Sequence, residues 1–138
     1  MRALLHVRLT GLPPTANHLY RTSRNGVRYK TAEGKAWQEL TATILRGARR
    51  RGDKDAPPFN GDVAVKIVFY TKDRKHWDID NRLKALLDCL EDAGVIANDA
   101  QVKRLEAHRV EGKPTPTTVS GKPAVTELTV RAVKAAME

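Results

Sequence analysis

The chain has 138 residues, with 25 Lys and Arg against 16 Asp and Glu, a formal net charge of +9 and a pI near 10.0. That length gives room for one domain with a modest core, and with aromatics at only 5% the packing falls to Leu, Val, Ile and Ala. The single cysteine excludes an internal disulfide and a cysteine-rich zinc site and suits a reducing cytoplasm. No apolar run approaches the roughly 20 residues of a membrane span, and the N-terminus lacks the pattern of a signal peptide.

A basic balance of this size in a short chain points to a polyanionic partner, nucleic acid first. In chain order, residues 3–9 alternate, with Leu5, Val7 and Leu9 on one face and His6 and Arg8 on the other, which predicts a first strand. Pro13-Pro14 ends it. The segment to Asn25 is irregular and polar, with Asn17, His18, Tyr20, Arg21, Ser23 and Arg24. A basic loop with an aromatic suits a phosphate backbone, and it is equally an ordinary surface loop. Asn25-Gly26 marks a turn, after which residues 27–30 form a short strand.

Thr31 is an N-cap with Glu33 in the first turn of a helix. Its predicted apolar stripe is Ala36, Trp37, Leu40, Ile44, Leu45 and Ala48. Arg46, Arg49, Arg50 and Arg51 gather at its end, where they complement the helix dipole or contact DNA. Residues 52–61 read as a surface loop. Residues 63–70, V-A-V-K-I-V-F-Y, are the strongest strand and are expected to be central. Residues 102–110 form another strand, with Leu105 and Ala107 on one face, followed by a mobile loop over 111–123. Residues 125–133 alternate as a last strand at a sheet edge. The expected fold is α+β, one domain over 1–138, with a mixed sheet of about four or five strands and two main helices packed on it.

The chemistry concentrates between Trp77 and Asp99. Asp78 and Asp80 follow the central strand and a basic run, Lys72, Arg74, Lys75 and His76. At a strand end, side chains two apart point the same way, so both carboxylates would aim at one point. Close carboxylates repel, and a hard cation such as Mg²⁺ relieves the conflict with oxygen ligands. Leu83, Leu86, Leu87 and Leu90 form the apolar stripe of the following helix, and Asp80, Lys84 and Asp88 run four apart along its edge. Gly94 stops the helix, and Asp99 lies in a polar turn beyond it. A D-x-D alone is also an ordinary helix cap, and Lys84 with Asp80 an ordinary surface pair. Cys89 reads as a small core residue.

The combination D-I-D-N-x-x-K-x-x-x-D at 78–88 with G-V-I-x-N-D-A-Q-V at 94–102 resembles the RusA-type Holliday junction resolvases. P-P-T-A-N-H-L-Y-R at 13–21 and Y-K-T-A-E-G-K-A-W at 29–37 extend the likeness upstream. The resemblance implies a homodimeric, Mg²⁺-dependent endonuclease, with Mn²⁺ as a substitute, that cuts four-way branched DNA in recombination and repair in the cytoplasm of a bacterium or its prophage. It implies Asp78, Asp80 and Asp99 as catalytic metal-associated carboxylates and Lys84 as the catalytic lysine. Asn17, Arg21, Lys72, Arg74, Lys75 and His76 are expected to contact DNA, with Asn81 and Asp88 supporting the site from behind. One position departs from the family pattern: Asn98 stands where an acid is common. Two other classes stay open, a branched-DNA-binding protein without full catalysis and an unrelated small basic RNA-binding protein or ribonuclease. Cleavage of a synthetic junction separates the first; metal-free action on RNA marks the second.

Overall fold

The computed structural model describes residues 3–15, 20–49, 58–71, 79–111, 116–118 and 121–133. Within them lie six strands and two α-helices. Strand β1 is Ala3–Leu9, β2 Tyr20–Thr22, β3 Arg28–Lys30, helix α1 Ala32–Ala48, β4 Val63–Thr71, α2 Leu83–Asp92, β5 Val102–Glu111 and β6 Thr126–Ala132. Two 3₁₀ turns, Asp80–Arg82 and Asp99–Gln101, bracket α2.

Four strands form one sheet in the order β1-β6-β4-β5, and β2 and β3 form a separate ribbon. β6 runs antiparallel to both β1 and β4, whereas β4 and β5 are parallel, so α2 is the crossover between them. Parallel neighbours need such a connection, and residues 72–101 supply it. The alternation expected for the last strand holds: Thr126, Leu128 and Val130 are buried. Its expected place at an edge is corrected, because β6 is hydrogen-bonded on both sides and the edges are β1 and β5. The expected loop at 111–123 also contains order: Thr117 bridges Pro123, and a tight turn closes from Gly121 N–H to the Thr118 carbonyl.

The core lies between one face of the sheet and the two helices. Val63, Val65, Ile67 and Phe69 of β4 meet Leu86 and Leu90 of α2 and Leu45 of α1. Each fully buried Leu or Phe contributes about 2 kcal/mol. Cys89 belongs to this core, and burial pushes its thiol up to about 12, so it is an inert packing group.

Helix α1 starts as expected: Thr31 Oγ1 accepts the Gly34 N–H at 3.0 Å. Its inward face differs from the predicted stripe. Gly34, Gln38, Thr41, Ala42 and Leu45 are buried, while Leu40 and Ile44 are 63% and 40% exposed. Apolar spacing misplaced the face because two polar residues go inside. Gln38 accepts a hydrogen bond from Lys30, which offsets its desolvation. Arg46 donates to the Asp92 carbonyl at 3.1 Å and Arg49 to the Gly94 carbonyl. The described part of the arginine cluster therefore serves the C-terminal, negative end of α2. Arg50 and Arg51 lie outside the described residues.

Candidate active site

Helix α2 organises the site. Its inward side is Ala85, Leu86, Cys89 and Leu90. Lys84, Asp88 and Glu91 fall within about 60° of one another on a 3.6-residue helix and make a charged face away from the core. The Asp80–Arg82 turn opens this face, and Asp80 is exposed at its first residue. Asp80 therefore sits on a helical turn, nine residues beyond the last described residue of β4, and the strand-end parity expected for it does not apply.

The turn is anchored from the N-terminal segment. Arg82 Nη1 donates to the Pro13 carbonyl at 2.7 Å, and burial lowers the Arg82 pKa. The P-P-T segment is thereby fixed beside the residues that carry Asp80. Asp88 is a junction of two contacts: Lys84 Nζ lies 3.5 Å from Oδ1, and the Tyr20 hydroxyl donates to Oδ2 at 3.4 Å. Asp88 holds Lys84 one turn above Asp80 and ties the β2–β3 ribbon to α2. Tyr20 is further covered by the Arg28 guanidinium, 4.2 Å from its ring centre.

Helix α2 ends at Gly94, whose φ of 71° lets its N–H reach the Glu91 carbonyl and the Val95 N–H reach the Leu90 carbonyl. The chain then enters the turn that carries Asp99. Asn98 Oδ1 accepts the Ala100 N–H at 2.7 Å, and Gln101 Oε1 accepts the N–H groups of Ala97 and Asn98 at 2.8 and 2.9 Å, a capping box. Gln101 Nε2 donates to the carbonyls of Phe59 and Gly61 at 2.7 and 2.8 Å, pinning the turn to the start of β4. Asn98 thus occupies a cap position that Asn and Asp fill equally well.

The Asp99 amide donates to Glu91 Oε1 at 2.6 Å. Glu91 lies eleven positions after Asp80, about 16 Å along a helix axis. The Asp99 amide therefore docks on a side chain from the last turn of α2, the helix that Asp80 precedes. Among the described residues no three His, Cys, Asp or Glu side chains come together to hold a metal ion. Asp78, Asn17, Lys72, Arg74, Lys75 and His76 lie outside the described residues, as does the Asn81 side chain. Arg21 is exposed on β2, opposite Tyr29.

The sequence profile of the family "Endodeoxyribonuclease RusA" matches residues 11–125. The chain belongs to the RusA family. Crossover junction endodeoxyribonucleases RusA of Enterobacteria phage 82 and Escherichia coli K12 are each 36% identical to it over 90 residues, 65% of this chain and 70% of theirs. The Aquifex aeolicus crossover junction endodeoxyribonuclease RusA is 31% identical over 103 residues, 75% of this chain and 76% of its own. The RusA match spans both the Arg82–Pro13 anchor and the Gln101 clasp, two features that residue types alone did not single out. Gln101 was accessible in principle, since Asn followed three residues later by Gln is a capping-box pattern. Arg82 was not, because its partner is a backbone carbonyl 69 positions away. No helix among the described residues is long and apolar enough to cross a membrane.

Proposed function

We propose that this protein is a divalent-metal-dependent endodeoxyribonuclease that resolves four-way DNA junctions by hydrolysing phosphodiester bonds. The observation that carries the reading is the RusA match over residues 11–125, joined to the Lys84–Asp88 pair on the helix that follows Asp80. Carboxylates are the hard oxygen donors that Mg²⁺ or Mn²⁺ takes, and Asp78 and Asp80 form the primary pair that would hold it. When bound, the ion offsets charge on the phosphate and supplies an activated water. Asp99 is the third carboxylate of the set; Mg²⁺ titration of Asp99→Asn decides whether it shares the ion.

The remaining roles fall to this chain's own side chains. Lys84, oriented by Asp88, sets its ammonium against the charge that develops on the scissile phosphate or its leaving oxygen. Asn17, Arg21, Lys72, Arg74, Lys75 and His76 hold flanking phosphates and fix the register of the DNA. The 138 residues act as one domain, and two copies pair so that two sites nick two strands symmetrically. A chromosomal or prophage DNA substrate puts the protein in the cytoplasm.

The test is incubation with a synthetic four-way junction, a linear duplex of the same sequence and an RNA hairpin, with Mg²⁺ and with chelator. Paired, Mg²⁺-dependent nicks in the junction alone are expected. Cleavage of the RNA in chelator, or tight junction binding with no cleavage at any metal concentration, overturns the reading.

A further inference from the structure

The β2–β3 ribbon stands off the main sheet and is joined to it by no described strand pairing. Residues 20–30 carry four cations, Arg21, Arg24, Arg28 and Lys30, and no carboxylate. The root of the ribbon is fixed. Tyr20 bonds Asp88, Arg28 stacks on Tyr20, and Lys30 donates to the buried Gln38. These three side chains share one face, since Tyr20 pairs with Lys30 and Thr22 with Arg28.

Among the described residues the other face carries no such anchor. Arg21 and Tyr29 are direct cross-strand partners there, so a cation and an aromatic ring stand side by side. Tyr29 is 48% exposed, and Val27 at the turn is 61% exposed. The turn itself is a tight one: Gly26, at φ 78°, donates to the Ser23 carbonyl. A rigidly rooted ribbon that presents bare apolar surface among cations is built to meet something polyanionic that also offers flat apolar faces.

We propose that the β2–β3 ribbon is a DNA-engaging arm in which Tyr29 stacks on a base opened at the branch point while Arg21 and Arg24 hold the flanking phosphates. The inference rests on the reading of the protein as a branched-DNA nuclease. Base faces are covered by their neighbours in continuous duplex and become available where strands part, so stacking by Tyr29 favours branched over linear DNA. It does so without choosing a sequence, because every base has a π face. The root of the arm is Tyr20, whose hydroxyl meets the same Asp88 that holds Lys84. The arm is thereby tied to the helix that carries Lys84.

The experiment uses the full chain without divalent metal, so that binding is read without cleavage. The probes are a four-way junction with 2-aminopurine at the branch point and the matching linear duplex. Wild type is expected to change the 2-aminopurine signal on binding. Tyr29→Ala loses that change and weakens junction binding about ten-fold while leaving duplex binding intact. Tyr29→Phe retains both, because the ring and not the hydroxyl makes the contact. Arg21→Ala with Arg24→Ala lowers the slope of log affinity against log salt by about two. Tyr29 is exposed, so melting curves of these variants should overlay the wild type. Tyr29→Ala that binds and reports like wild type, or that loses duplex and junction affinity equally, overturns the proposal. Wild type showing no preference for the junction also overturns the proposal, whereas junction binding with no cleavage once Mg²⁺ is added would instead remove the nuclease reading on which it rests.

Discussion

Replacing Gln101 by Ala removes a clasp of four hydrogen bonds: two amides, Ala97 and Asn98, lose their acceptor, and two carbonyls, Phe59 and Gly61, lose their donor. At about 1 kcal/mol net for each bond, and with water reaching the two exposed amides, the loss comes to about 3 kcal/mol. For a chain of this size that corresponds to a fall in Tm of about 10 °C. Gln101→Glu is no rescue: it keeps the acceptor for the amides but sets a carboxylate against two carbonyl oxygens. Both variants also release the turn that holds Asp99, so junction cleavage should fall further than the lost stability explains when assayed well below the new Tm. Thermal melting by circular dichroism, with cleavage measured on the same preparations, checks both parts. A Gln101→Ala protein melting within about 1 °C of wild type would refute the reasoning, since an exposed neutral side chain is worth no more than that.

Gly94→Ala should destabilise the fold by about 1–3 kcal/mol in a denaturant titration, because an added Cβ meets a positive φ and stands 2.8 Å from Arg49 Nη1. Lys84→Ala should lower the cleavage rate far more than junction affinity; an affinity loss with the rate unchanged would make Lys84 a DNA anchor. Burial alone would raise the pKa of Glu127, but hydrogen bonds from Arg8, Tyr70 and His6 outweigh it and hold the carboxyl below its ordinary value. Its contribution is therefore full above the unfolded pKa and lost as pH falls through the depressed folded value. Glu127→Gln should flatten the acid limb of the stability curve below about pH 4.5 and leave the neutral limb lower but parallel.

Much of the architecture was legible because local patterns and global packing agree. Thr31 and Gly94 mark helix ends by the hydrogen bonds that such residues make, and the apolar run 63–70 buries five of its residues as a central strand does. The inward face of α1 was not legible, since the polar Gln38 and Thr41 are buried there and the Lys30 partner of Gln38 lies outside the helix. Strand order was equally hidden: β6 passes between β1 and β4 through pairings more than fifty residues apart. At the site, the helix carrying Lys84 and Asp88 was readable from i,i+4 spacing. The 3₁₀ turn at Asp80 was not, and neither was the docking of the Asp99 amide on Glu91 at the opposite end of the helix. Both depend on how the chain leaves and re-enters regular structure.

The proposed cleavage chemistry depends on the Asp80 carboxylate, and Asp80→Asn tests it most directly. The measurement is junction binding and junction cleavage by that variant, side by side, in Mg²⁺. The expected result is full or tighter binding, since a negative charge facing phosphate is gone, with cleavage abolished. An Asp80→Asn protein that cuts the junction at the wild-type rate would contradict the account.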